Sequence, residues 1–157
     1  MKTIEVNLFK FEELSEESQQ RTLEKLWDIN LDDDWWEWTY EDAENVGIKI
    51  TSFDEHNITG ELLAYCIDIA KNIINEHGEN CNTYKTATEY LPLLTDEWNE
   101  DYEGEPIAED FKQSILEDYR IMLNKEYEYL TSEEAIIETF EANEYTFEED
   151  GTMNNSI

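Results

Sequence analysis

The apolar positions change period several times along the chain, and each change predicts an element. In "TIEVNLF", residues 3–9, Ile4, Val6 and Leu8 alternate with Thr3, Glu5 and Asn7, the two-residue period of a half-buried strand. Leu14 and Ser15 then have the form of a staple and N-cap, opening a helix to about Asn30 with Leu23, Leu26, Trp27 and Asn30 on one stripe. Thr39 with Asp42 resembles an N-cap pair leading a short helix that Gly47 ends. "IKITSF", residues 48–53, reads as a strand, and "DEHN" followed by "ITGEL" predicts a hairpin into a second one.

From Ala64 to His77 the set Cys66, Ile69, Ala70, Ile73 and His77 keeps helical spacing, with Gly78 as a natural residue to end the helix. Ala87, Tyr90, Leu91, Leu94 and Trp98 continue that spacing over residues 83–102, where Pro92 must kink the element or begin a new one. Phe111, Ile115, Tyr119 and Met122 form one stripe of the next helix, and Leu116, Leu123, Tyr127 and Leu130 a second, which implies burial on two sides. "LTSEEA", residues 130–135, contains the capping box Thr131 with Glu134 and a staple from Leu130 to Ala135, opening a last helix that ends near Asn143. "YTF" before "EEDG" closes as a short strand or turn, and residues 150–157 read as a frayed tail. No repeat or linker divides the chain. The expectation is a single compact α+β domain: a small antiparallel or mixed sheet, mostly from residues 1–65, covered by four to six helices.

Composition supports a folded chain. A domain of 157 residues can bury roughly 70% of its unfolded surface, and an aromatic share of 13% separates it from disordered acidic tails, which are poor in aromatics. Cys66 and Cys81 make no disulfide framework and stand in no metal spacing, which predicts a reduced, cytoplasmic setting. "MKTIEVNLFKFEEL" lacks an apolar signal core, and nowhere do about 18 apolar residues run together, so neither secretion nor membrane insertion is expected.

Charge changes the picture most. Against 41 acidic residues stand 10 basic ones, a formal net charge of −31. Such an excess repels itself and lowers the stability of the compact state, so it reflects either a high-salt habitat or a use for negative potential. Nucleic acid, anionic membranes and acidic substrates are disfavoured as direct partners; basic proteins and cations are favoured. The excess is also uneven. Residues 32–45 carry −7, 76–110 carry −10 and 131–157 carry −8, with Lys85 the only basic residue in the three blocks. Asp96 with Glu100 and Glu97 with Asp101 are like-charge pairs four apart, each costing about 0.2–0.5 kcal/mol on a helix.

Carboxylates four residues apart on a helix lie about 6 Å apart along the axis, of the same order as the roughly 3.4 Å per phosphate along one strand of a nucleic-acid backbone. A groove lined with Lys and Arg for phosphates accepts them in equivalent places. The candidate partner-binding acids are Asp32, Asp33, Asp34 and Glu37; Asp96, Glu97, Glu100, Asp101 and Glu103; and Glu148, Glu149 and Asp150. In "DDDWWEW" the tryptophans divide between core and surface, and Trp36 is the expected exposed anchor.

Other chemistry is thinner. Asn30, Asp32, Asp34 and Glu41 fall at places 1, 3, 5 and 12 of a calcium loop, but Trp35 stands where that loop needs glycine, so no metal site is expected. His56 lies in a turn and His77 at a helix end, neither with a nucleophile at a known motif spacing, and five glycines form no phosphate loop. No catalytic residue and no cofactor is expected. Three classes remain: a mimic of nucleic acid, an antitoxin-like module that grips its partner through an apolar groove, and a generic acidic or halophilic domain. Each tolerates a homo-oligomer.

"FKFEELSEESQQRTLEKLWDIN", "DWWEWTYEDAENVGIKI", "HGENCNTYKTATEYL" and "LTSEEAIIETFEANEYTFEEDG" together resemble a family of small acidic proteins of bacteriophage and prophage genomes, some described as antitoxin-like. The resemblance spans most of the chain and carries no catalytic signature. It implies a phage protein acting in the host bacterial cell, in keeping with non-enzymatic counter-defence inhibitors that occupy the basic groove of a nuclease, restriction or CRISPR-type effector.

Overall fold

The computed structural model describes residues 7–94 and 106–154. The predicted strand at 3–9 lies largely outside that range, as do Asp96, Glu97, Glu100, Asp101 and Glu103. The fold is α+β: six α-helices and two separate two-stranded antiparallel sheets, among the described residues. The chain divides into two compact units, Met1–Asp34 with Glu126–Ile157, and Trp35–Lys125.

In the first unit, Ser15 caps helix α1 (Glu16–Lys25) as predicted, its hydroxyl accepting from the Ser18 N–H at 3.2 Å. The helix ends at Lys25 rather than near Asn30, and Trp27, expected on its buried stripe, is 46% exposed. Helix α6 (Glu133–Ala142) is capped by Ser132, whose hydroxyl accepts from the Ala135 N–H, and not by Thr131. Thr131 instead donates back to the Tyr127 carbonyl, closing the preceding helix. Strands β3 (Thr146–Phe147) and β4 (Met153–Asn154) pair, so Met153 and Asn154, within the expected tail, form a strand. Phe9 extends the ladder by exchanging both backbone hydrogen bonds with Phe147 at 2.8 Å. Phe11, Phe140 and Phe147 form the centre of this unit's core, with ring centroids 5.0–6.1 Å apart. Rings in such tilted and edge-on contacts add about 0.5–1.5 kcal/mol per pair to their area burial.

The second unit opens with helix α2 (Glu37–Val46), ended by Gly47 in the left-handed conformation, φ 111°. Strand β1 (Ile48–Phe53) then pairs with β2 (Ile58–Leu62) as predicted, with a bulge after Ile50. Asp54 accepts from the His56 and Asn57 N–H groups, both at 2.7 Å, and so forms the turn. Helix α3 (Cys66–Glu76) buries Cys66, Ile69, Ala70 and Ile73, the predicted stripe. Its end departs from the prediction: His77 leaves in extended backbone (φ −98°, ψ 149°), with no left-handed Gly78. Helix α4 (Asn82–Tyr90) passes into a 3-10 turn, Leu91–Leu93, so Pro92 begins a new element. Helix α5 (Pro106–Leu130) buries Phe111, Ile115, Leu116, Tyr119 and Leu123, which belong to the two predicted stripes.

One half-buried carboxylate in this unit is held away from full solvation. Asp118 is half-buried on α5, and its Oδ2 accepts from the Thr86 hydroxyl at 2.6 Å. Burial raises its carboxyl above the usual range, the Thr86 hydrogen bond opposes that, and Glu117 adds repulsion. A raised carboxylate pKa means that folding is favoured with the proton on; that contribution is lost as pH rises through the folded value. Asp118→Asn keeps an acceptor for Thr86 and removes the charge. It is expected to raise stability at neutral pH by about 0.5–1 kcal/mol, or ~2 °C in Tm, with the gain shrinking below about pH 4. Thermal unfolding at the two pH values checks this.

Candidate functional site

Helix α2 brings most of the local negative charge to one side. Its buried face is Thr39, Ala43 and Val46, spaced four and three apart. That stripe turns Glu37, Glu41 and Glu44, with the same spacing, toward solvent. The helix has no Lys or Arg, so like charges meet at i,i+4 and i,i+3 without a compensating cation on the same helix. Glu37 in the first turn is favoured by the helix dipole, but Glu44 in the last turn is opposed by it. A face optimised for stability would carry lysine there.

Trp38 stands beside this face and is 77% exposed. Trp36, the expected anchor, is instead half-buried: its ring lies 5.9 Å from Trp35, 6.5 Å from Tyr40 and 6.3 Å from Phe53. The reason is the helix start. With α2 beginning at Glu37, Trp36 takes the N-cap position one turn before Tyr40, and both rings join Phe53 at the end of β1. Trp38 falls on the opposite flank. The surface indole of "DDDWWEW" is therefore Trp38.

Asp32, Asp33 and Asp34 are exposed in the turn that precedes α2. Glu148, Glu149 and Asp150 are exposed in the turn joining β3 to β4. There the Thr152 N–H donates to Asp150 Oδ1 at 2.9 Å and holds that carboxyl below its usual range. Neither Glu41 nor Glu44 is among the partner-binding acids expected from the sequence, where Thr39 takes the form of the N-cap; the N-cap is Trp36. Their spacing from Glu37 was the available signal.

Behind α2 lies a polar network with no counterpart in the sequence reading. His77 Nδ1 is 2.6 Å from the Thr83 hydroxyl, and Nε2 is 2.9 Å from Asp42 Oδ2, off the line of a good hydrogen bond but at ion-pair distance. The Tyr119 hydroxyl donates to the same Asp42 oxygen at 3.1 Å. Hydroxyl, imidazole and carboxylate thus follow one another as in a nucleophilic triad. Thr83 and Tyr119, however, are fully buried and the His77 side chain is 6% exposed, so a substrate has no approach to the hydroxyl; the network joins α2, α4 and α5. Asp42, expected in a cap pair with Thr39, thus faces His77 from within α2, whose N-cap is Trp36, and His77 leaves α3 extended to reach Thr83.

The His77 contact holds the Asp42 carboxyl below its usual range, burial opposes this, and the Tyr119 hydrogen bond adds to it. Burial pushes the Tyr119 phenol far above its ordinary value, so it remains a donor. A lowered carboxylate pKa gives stability that is present above the ordinary value and lost as pH falls through the folded one. Asp42→Asn is therefore expected to lower stability at pH 7 by about 0.5–1 kcal/mol, after allowance for solvent screening. Urea unfolding at neutral pH and below about pH 3 checks it, since in acid the variant and the parent should converge.

Asn30, first place of the calcium-like spacing, gives its Oδ1 to the Thr139 hydroxyl and its amide to the Leu130 carbonyl. Among the described residues no three His, Cys, Asp or Glu side chains converge as a metal site. Burial raises the Cys66 thiol to about 11, which makes it a poor nucleophile. Among the described residues no helix is long and apolar enough to cross a membrane. Compared with known proteins, the chain matches no family model, no curated protein and no solved structure.

Proposed function

We propose that this protein is a non-enzymatic inhibitor that imitates nucleic acid and occupies the basic groove of a nuclease, restriction or CRISPR-type effector. The phage and host-cell setting comes from the sequence resemblance. The reading is carried by α2: a ten-residue helix without a cation that presents Glu37, Glu41 and Glu44 beside an exposed Trp38, in a chain of net charge −31. Its carboxylates recur about every 5 Å along the axis, against about 3.4 Å per phosphate of one nucleic-acid strand. Arg and Lys arranged for phosphates would meet them with charge-assisted hydrogen bonds, and an indole beside them offers a stacking or pocket-filling group. The exposed acids Asp32 to Asp34 and Glu148 to Asp150 widen the negative field that steers a basic partner toward the protein.

A second reading is favoured by Trp38 itself. An antitoxin-like module that seats this indole in an apolar groove would use the same flank of α2 with less dependence on charge. Affinity capture from a host lysate, with nuclease treatment, separates the two readings by its salt response. The mimic is expected to recover a basic nucleic-acid-binding protein and to release it between roughly 0.15 and 1 M salt. Retention at the upper salt favours the apolar groove.

A further inference from the structure

We propose that Trp38 takes the place of a nucleobase turned out of its strand, and that the groove it enters carries a base-binding pocket lined with aromatic rings. The exposed positions of α2 are Glu37, Trp38, Glu41, Glu44 and Asn45. At about 100° of turn per residue the three carboxylates share one strip, and the indole projects from its flank. A nucleotide has the same plan, with charge along the strand and a flat ring to one side. In a paired duplex that ring faces inward; it reaches a protein only when unpaired or extruded, and is then held between aromatic or apolar side chains. The indole is a fused bicycle, as a purine is, with one N–H donor on its edge.

The fold has an aromatic cluster close by and leaves this ring out of it. Trp35, Trp36 and Tyr40 stand with their ring centroids 5.7–6.3 Å from Phe53. Trp38, two positions beyond Trp36, is carried about 200° round the helix and stays 77% exposed. A ring so exposed adds little burial to the fold. Charge complementarity then selects the occupant of this face. A purely apolar groove would strip water from the flanking glutamates without pairing them, which is costly, whereas a groove built for phosphates with a base pocket beside them satisfies both groups. The helix is also fixed in advance, since Asp42 accepts from the Tyr119 hydroxyl at 3.1 Å and lies 2.9 Å from His77 Nε2, so that little ordering remains for binding to offset. The assignment rests on the reading of the protein as a mimic of nucleic acid.

The test measures affinity for the captured partner with the full chain and with Trp38→Phe, Trp38→Leu and Trp38→Ala, all at an exposed position where folding is retained. Trp38→Ala is expected to weaken the complex about tenfold to a hundredfold, the range for one base stacked on an aromatic ring. Trp38→Phe should keep most of the affinity, and Trp38→Leu should behave as Trp38→Ala. Adenosine, guanosine, cytidine and thymidine at millimolar concentration fill a base pocket without filling the groove. At least one of them should weaken the parent complex severalfold and leave the Trp38→Ala complex unchanged, while ribose phosphate affects neither. Leucine serving as well as tryptophan would overturn the assignment in favour of an apolar pocket. Full affinity in Trp38→Ala would overturn it too, as would nucleosides that act on neither complex or on both alike. In each of those cases, duplex nucleic acid that still displaces the protein leaves the mimic standing; failure of every nucleic acid to displace it removes both.

Discussion

Replacing Gly151 with alanine is expected to cost about 3 kcal/mol, or roughly 6–12 °C in Tm, far more than a surface substitution. Gly151 is buried with φ 94°, a conformation that side-chain-bearing residues rarely adopt. An added Cβ would stand 2.5 Å from the Thr22 hydroxyl and 2.7 Å from the Ser18 carbonyl, so the turn would have to lift from α1. Lifting it breaks two long-range hydrogen bonds: Thr22 to the Gly151 carbonyl at 2.8 Å and Ser18 to the Glu149 carbonyl at 2.7 Å. Each such bond is worth about 0.5–1.5 kcal/mol, and the buried Thr22 would lose one of its two acceptors. Gly78→Ala is the control: its Cβ meets nothing within 4 Å and its backbone is not left-handed, so stability should hardly change. Equal melting temperatures for the two variants would contradict this account of the turn.

Replacing Glu37, Glu41 and Glu44 by glutamine is expected to move stability and binding in opposite directions. Removing like-charge pairs on α2 should stabilise the fold by about 0.2–0.5 kcal/mol per pair. The same change should weaken capture of the basic partner about tenfold, and replacement by lysine about a hundredfold, chiefly through slower association. A face retained for stability cannot show that opposition; a face retained for its potential must. Trp38→Ala on the same helix should leave stability nearly unchanged, because the side chain is 77% exposed, and any loss of affinity would then belong to the contact itself. Thermal unfolding beside surface plasmon resonance of the triple variants measures both effects, and weakened binding together with lowered stability would point to misfolding of α2.

Where a structural rule acts within a few residues, the sequence was a good guide. Ser15 stands before α1, Asp54 and Asn57 bracket the hairpin turn, Gly47 ends α2, and the apolar sets of α3 and α5 keep their period; all are local signals. The departures come from side chains recruited by distant residues. Thr39 and Asp42 have the form of a cap pair, yet Thr39 packs into the core and Asp42 serves His77, thirty-five positions on. His77 and Gly78 have the form of a helix end, but the imidazole is needed at Thr83. Thr131 could cap α6, but its hydroxyl is engaged by Tyr127, and Ser132 takes the role. Of the candidate surface, the acids were legible as exposed charge. Which indole accompanies them was not, because the helix is capped at Trp36, three residues before Thr39, and this start places Trp36 and Trp38 on opposite flanks.

A mimic of nucleic acid must compete for its partner's nucleic-acid site. The most direct measurement of that competition is a titration of the protein bound to its captured partner with duplex DNA and, separately, duplex RNA. The account predicts displacement by at least one of them, at concentrations set by the partner's own affinity for that nucleic acid, with the complex weakening steeply as salt rises. A complex that stays intact at saturating DNA and RNA would contradict it.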